Sequence, residues 1–457
     1  MSEPSPAART TKHAVPEVSP SVVAEPVTRR FLWHPRTWIA SVTILILLGL
    51  TLPAVYLGGT IDPQGDLKDL PVALVVEPQT VQLGAASPAD AVADGIEQHV
   101  DDNKITLMAM STDEADHQMR NGHIVGIIRI PNDFNAQVGA LTRPGPGAPT
   151  HPVVQLDTTS RSGAMTAGLF TGNVGPVVEG VRTALGRQLM ATGGAPVDTA
   201  TATALATPFA IAIAPLDPLP SHTGLGTSVF YLAIVLIIVA FIGASAVHPL
   251  IDTVIGFIPQ ETGPRVRRNP YRHLSRTRTL ILKWLVMLAA TPPTTAAILL
   301  VAGPWLGMPL VSPLTLWLFA TATVAAVGVG GLTVFALFGS FGPLVNTFFF
   351  VALAMTSSGG AIPLQATPDF FRAIAPFEPM RAVVNGLRSI LYFDSTPGSG
   401  MEPAWWYLLV LAAISIATGL IATRVFDRFP AFTRLPDDGA SRSVDKAQRT
   451  EVHQFTA

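Results

Sequence analysis

Ser228–Val247 reads SVFYLAIVLIIVAFIGASAV, a run with no charged side chain. At 1.5 Å per residue a helix of about 20 residues covers the roughly 30 Å hydrocarbon layer of a bilayer, so the run reads as a membrane span. Working outward, one similar stretch lies upstream, Trp38–Leu57, and four lie downstream: Ile281–Val301, Leu314–Phe335, Pro343–Met355 and Trp405–Thr423. The stretch at Pro343–Met355 is short. The whole composition agrees: 49% hydrophobic and 13% charged residues, with a mean hydropathy of +0.42, are too apolar for a soluble chain of 457 residues.

Charge orients the spans. The net charge of -2 says little, but its distribution says more. Acidic side chains outnumber basic ones between Gly58 and Thr227, whereas His248 to Leu280 carries Arg265, Arg267, Arg268, Arg272, Arg276 and Arg278. The positive-inside rule places that second segment in the cytoplasm. Arg29, Arg30 and Arg36 before the first span, and Arg424 and Arg428 after the last, fit six crossings of the plasma membrane with both termini cytoplasmic. The expected class is therefore an α-helical integral membrane protein with one plus five spans and a large extracytoplasmic domain between the first two.

The boundaries follow: a disordered leader over 1–27, an interfacial elbow and first span over 28–57, the outer domain over 58–227, a membrane domain over 228–430 and a disordered tail over 431–457. Thr28-Arg29-Arg30-Phe31-Leu32 has the look of a twin-arginine export signal. Its apolar core is long, however, and no small-x-small cleavage site follows, so an uncleaved signal anchor is the simpler reading.

Within the outer domain, β-type runs at Val72–Val76, Ile105–Met110, Ile124–Ile130 and Val153–Asp157 alternate with helical segments, an α/β pattern. Ser111 with Glu114 forms a capping box opening a helix to Arg120, and Asn121-Gly122 turns the chain into the next strand. Asp113, Glu114, Asp116 and His117 are explained by the dipole of that helix's first turn rather than by a metal. Val174, Val178, Val181, Leu185 and Leu189 mark the sheet-facing stripe of a long helix. The chain has no cysteine, so this domain rests on an ordinary core without disulfides.

Catalytic motifs are missing. No Gly-Lys dipeptide occurs, hence no phosphate loop, and neither His-Glu-x-x-His nor Gly-x-Ser-x-Gly is present. The histidines are scattered, so no enzyme, cofactor or metal is expected in this chain, and nothing points to nucleic acid. No Asp, Glu or Arg sits in mid-membrane, and Lys283 and Asn346, which approach the spans, lie near the expected cytoplasmic ends, which argues against ion-coupled transport. Pro292-Pro293 is expected to kink or break the third span, and Ala326-xxx-Gly330 reads as close helix packing. Between the last two spans, Pro363, Pro376 and Pro379 punctuate two short amphipathic helices; Met380, Val383, Val384 and Leu387 share one face, and Arg381, Asn385 and Arg388 another.

With these features in view, the chain resembles the membrane subunit of an ABC-2 type exporter, whose last two spans are separated by a similar outer hairpin. More closely it resembles the YhgE/Pip (phage infection protein-like) branch. Leu70 to Glu77, Gly122 to Phe134, and Gly224-Leu225-Gly226 leading to Gly243-Ala244 carry that resemblance. Val76 stands where an Asn is expected, and a long coiled-coil insertion is lacking. The resemblance implies a permease moving an amphipathic or lipid-linked substrate outward, as a homodimer or paired half-transporter, with ATP handled by a separate ATP-binding cassette subunit. The loop from Pro249 to Leu280, with Ile255, Phe257, Arg265, Arg267, Arg268 and Arg272, would meet that ATPase, Ile255 and Phe257 belonging to a docked helix. The alternative is a non-transporting envelope scaffold or receptor.

Overall fold

The computed structural model describes residues 62–81, 87–141, 150–192 and 199–429 except 268, 271 and 273, together with Leu50, Val55, Thr60 and Phe432. The first apolar stretch apart from Leu50 and Val55, the leader, the tail apart from Phe432, and Arg29, Arg30, Arg36 and Arg268 therefore lie outside the described residues.

Strands β1 (Leu70–Val76), β2 (Ile105–Ala109), β3 (Gly126–Ile130), β4 (Val153–Thr158) and β5 (Ala210–Pro215) form one sheet in the order β2-β1-β3-β4-β5. β1 runs parallel to β2 and β3, β4 is antiparallel to β3, and β5 is parallel to β4. β1 is buried on both faces, as its unbroken LPVALVV predicts for a central parallel strand. Leu70, Val72 and Leu74 enter a core with α1 (Pro88–His99), α3 (Phe134–Leu141) and α4 (Ala164–Thr192), while Ala73 and Val75 meet Ala115 and Met119 of α2 (Thr112–Arg120). The Ser111 hydroxyl accepts from the Glu114 amide, the expected cap. The α4 stripe Val174, Val178, Val181 and Leu185 is buried on the sheet. Asn121-Gly122 makes its turn with Gly122 at φ +75°, a conformation costly for any side chain.

Four helical segments among the described residues are long and apolar enough to cross a membrane: Ser228–Val254, Arg276–Trp305, Pro313–Ser357 and Met401–Arg428. The third is not one straight rod. α8 (Pro313–Phe338) ends at Gly339, whose φ 54° and ψ −122° suit only glycine, and the chain then folds back. On the return, α9 (Gly342–Thr347) lies against α8, with the Asn346 amide donating to the Gly331 carbonyl at 3.2 Å. The expected fourth and fifth stretches are thus two legs of a tight helical hairpin.

α8 is the hub, packed on α6 (Ser228–Val254), α7 (Arg276–Leu300) and α13 (Met401–Arg428). Lipid tails are as apolar as leucine, so packing and polar contacts hold membrane helices together in place of the hydrophobic effect. A carbon added to Gly331 would meet Ala244 at 3.2 Å, and one on Gly330 would meet Ser415 at 3.2 Å. The Thr333 hydroxyl donates to the Ser415 carbonyl, and the Trp317 indole to that of Pro292. The glycines therefore serve close approach, as the sequence suggested.

Two expectations are corrected. The break expected at Pro292-Pro293 is absent, since α7 stays helical through both prolines, and the interruption comes later, in a π-helical turn at Val301–Trp305. The loop between the second and third stretches is also shorter than Pro249–Leu280: α6 continues past Pro249 to Val254 and α7 starts at Arg276, capped by Ser275. Among the described residues of that loop no docked helix forms. Ile255 is the buried C-cap of α6, and the chain continues into a β-hairpin of β6 (Gln260–Thr262) and β7 (Arg265–Arg267). Gly263 at φ +58° lies between the strands, where a two-residue turn favours Gly over a helical continuation.

Candidate functional site

The described membrane domain carries two distinctive places, one at each end of its helices. Nearest the α/β domain lies the segment between the last two apolar stretches, folded as α11 (Asp369–Ile374) and α12 (Pro379–Tyr392). Pro363 opens a short turn whose Ala366 amide donates back to its carbonyl, Pro376 stands exposed in the turn after α11, and Pro379 takes the first turn of α12, where its missing N–H costs nothing. Met380, Val383, Val384 and Leu387 are buried as expected.

Arg388 is the key of this place. Its guanidinium donates to the carbonyls of Gly359 at 3.1 Å, Gly360 at 3.0 Å and Ser162 at 3.1 Å, joining α12, the bend after α10 (Ala354–Ser357) and the α/β domain. Burial draws it down to about 10, which leaves it charged at neutral pH. Arg381, also lowered by burial, does not share those carbonyls. Around Arg388 the joint is sewn by further contacts. Arg161 donates to the Tyr392 carbonyl at 2.7 Å, His123 bonds the Gly398 carbonyl at 3.0 Å, Thr396 donates to Asn121 at 2.9 Å, and the Lys68 amide donates to the Gln365 carbonyl at 2.7 Å. Arg372 first, then Lys68, hold the Asp369 carboxyl below the usual carboxylate range.

At the opposite end, the Lys283 ammonium lies 2.8 Å from Asp252 and 3.1 Å from Nδ1 of His248, with Lys283 and Asp252 only 3% and 5% exposed. His248 in turn stacks on Phe335 of α8 at 4.7 Å. This cluster fastens α6 to α7 just where the β-hairpin leaves the bundle. The Phe257 amide donates to the Asp252 carbonyl, the Arg272 amide to that of Ile255, and the Asn269 side chain to that of Thr253, closing the hairpin's base. Arg265 and Arg267 stand exposed on β7, and Arg272 is exposed beside the base.

The structure thus joins Arg388 with the proline-bounded hairpin, and Ile255, Phe257 and Arg272 with one another. Reading the sequence alone missed Asp252, because the apolar run stops at Val247 and Pro249 suggests a loop. The i, i+4 spacing of His248 and Asp252, with Lys283 in the next span, was the available signal. In the α/β domain, Arg129 of β3 bonds Asp116 at 2.7 Å and Asp157 at 3.0 Å; burial opposes its charge, but these two carboxylates raise its pKa overall. No cluster of three or more metal-ligating side chains occurs among the described residues.

Four long apolar helical segments, an α/β domain ahead of them and a proline-bounded hairpin before the last helix define a multi-pass membrane protein with a folded domain. The chain belongs to the ABC-2 family transporter proteins, whose family pattern it matches over residues 35–424. That family supplies membrane components of ABC transporters, which pair with an ATP-binding subunit. Among solved structures, a domain from a Thermotoga maritima MSB8 protein proposed to be an ABC type-2 transporter is 18% identical, covering 32% of this chain and 85% of that one, with a TM-score of 0.24. That superposition is too loose to carry an argument. No curated protein matches the chain.

Proposed function

We propose that the protein is the permease subunit of an ABC-2-like exporter of the YhgE/Pip branch, with six spans and both termini in the cytoplasm. It moves an amphipathic or lipid-linked substrate outward across the plasma membrane. The α/β domain lies outside, the β6–β7 hairpin meets a separate ATP-binding subunit inside, and the exporter works as a homodimer or paired half-transporter. The observation that carries this reading is the pairing of opposite ends: an Arg-bearing hairpin anchored by the buried Asp252–Lys283 pair at one, and the Arg388 joint at the other. Motion imposed on the first can reach the second through α6 and α7, both packed on α8.

Crosslinking in intact membranes, followed by recovery in mild detergent, tests the proposal. An ATP-binding subunit should be recovered with the wild type. Recovery should fall when Arg265, Arg267 and Arg272 become Lys, since planar bidentate contacts are lost while attraction to anionic lipid persists. Failure to recover any ATPase would sink the exporter reading and favour an envelope scaffold or receptor. Cysteines placed at exposed Asp94 and Asp369 should be labelled from outside, and one at Arg265 should not.

A further inference from the structure

α6 and α7 both pack on α8, but toward the α/β domain they part, leaving a cavity of about 700 Å³ between them. Its walls are written in the sequence. Ser228, Tyr231, Leu232 and Val235 line it from α6, and the same i, i+3, i+4, i+7 spacing from Thr294 to Val301 lines it from α7. The π-helical turn at Val301–Trp305 and Leu306 and Met308 close the top, and the His222 ring lies 3.4 Å from where a side chain on Gly307 would start. A π-helical turn at such a wall is often a functional feature.

The mouth opens sideways among Tyr231, 62% exposed, and Leu306, 65% exposed, both on segments that present apolar surface to a bilayer. The lining is almost wholly apolar, and its few polar groups are sorted by depth. At the deep end, the Thr294 hydroxyl is turned back onto the Ala290 carbonyl and offers nothing to a ligand. At the end near the α/β domain stand His222, whose Nδ1 meets the Ser221 hydroxyl, and Ser228, whose hydroxyl shares a 2.8 Å hydrogen bond with that of Tyr392. From Ser228 to Val235 the slot runs about 10 Å along α6. A narrow apolar slot with polar groups at one end has the shape of a hydrocarbon chain carrying a polar head.

We infer that this slot binds one acyl chain of a phospholipid drawn from the leaflet beside the α/β domain. The hydrophobic effect cannot select the slot over the surrounding lipid, because both are apolar; close contact with walls on several sides can. Ser228 gives the occupant a route to the rest of the molecule, since Tyr392 is the last residue of α12 and its carbonyl accepts from Arg161 of the α/β domain. The inference needs only the membrane placement of α6 and α7. It stands whether or not an ATPase partner exists.

The test uses the full chain in nanodiscs of phosphatidylcholine and phosphatidylglycerol doped with a phosphatidylglycerol that carries a diazirine in its acyl chain. After irradiation, adducts are mapped by peptide mass spectrometry. They should concentrate on Val235, Ile298 and Val301 over Val410, Ile414 and Ile421, which are more exposed on α13 and would be labelled first by annular lipid alone. Ala297→Trp, at an exposed wall position, should cut slot labelling about tenfold and leave α13 labelling unchanged. Val235→Trp should do the same from the facing wall. Even labelling of slot and α13 would mean annular lipid only and overturn the inference, as would labelling that neither tryptophan reduces. A disulfide between two copies of Val301→Cys would give the slot to a second chain and overturn it equally.

Discussion

Glu378→Gln should remove a pH dependence that wild-type stability carries. Glu378 precedes α12, is 0% exposed, and neither of its carboxylate oxygens has a hydrogen-bond partner. Burial raises it from 4.5 to about 8. Between those two values the folded protein holds a proton that the unfolded chain has released, so stability is fully present below the lower value and is lost as pH rises toward the upper one. At 1.36 kcal/mol per pH unit the whole window is worth about 4–5 kcal/mol. Gln keeps the shape and cannot ionise. The variant should therefore match the wild type at about pH 4.5 and exceed it by several kcal/mol at about pH 8. Thermal unfolding of both proteins in one detergent, scanned across that range, reads the difference directly. Parallel curves would refute the reasoning, and so would a gap that widens toward acid.

Three further outcomes are expected. Arg388→Met abolishes charge-assisted bonds to three carbonyls, each worth about 1.5–3 kcal/mol; limited proteolysis should then separate the α/β domain from the membrane helices faster, and Arg388→Lys should restore only part of the resistance. Lys283→Met removes the ammonium beside buried Asp252, leaving His248 Nε2 at 3.6 Å, and should cost about 3–5 kcal/mol, with much of the loss recovered in the Lys283→Met, Asp252→Leu double variant; strictly additive losses in thermal unfolding would show that the pair is not coupled. Gly331→Leu drives a side chain into Ala244 and should lower stability by at least about 1–3 kcal/mol, measured the same way.

The legible parts of this chain were those set by local periodicity. An unbroken apolar run cannot hide, so the helices beginning at Ser228, Pro313 and Met401 were visible, as were the Ser111 cap and the amphipathic face of α12. β5 escaped because AIAIAP is an edge strand rich in alanine, a weak strand former whose place depends on β4. The break expected at Pro292-Pro293 did not occur because tertiary contacts overrode local propensity: packing on α8 holds the helix across the two missing amides. Of the joint, Arg388 was visible as a polar position on an amphipathic helix, yet its acceptors were not. Carbonyls at Ser162, Gly359 and Gly360 have no sequence signature, and neither does the distance in sequence that brings them together.

That dependence on main-chain acceptors has an evolutionary consequence. Arg388, Arg161 and the Lys68 amide all read carbonyl oxygens across the joint, and every residue type presents a carbonyl in the same way. Mutational drift in the loops that supply those oxygens leaves the seam intact provided the backbone path is kept. Chimaeras exchanging residues 62–215 should therefore assemble when the contour around Ser162 is conserved and Arg161, His123 and Asn121 are kept as its side-chain contacts to the bundle. A lineage could then change what it displays to its surroundings without rebuilding the bundle beneath.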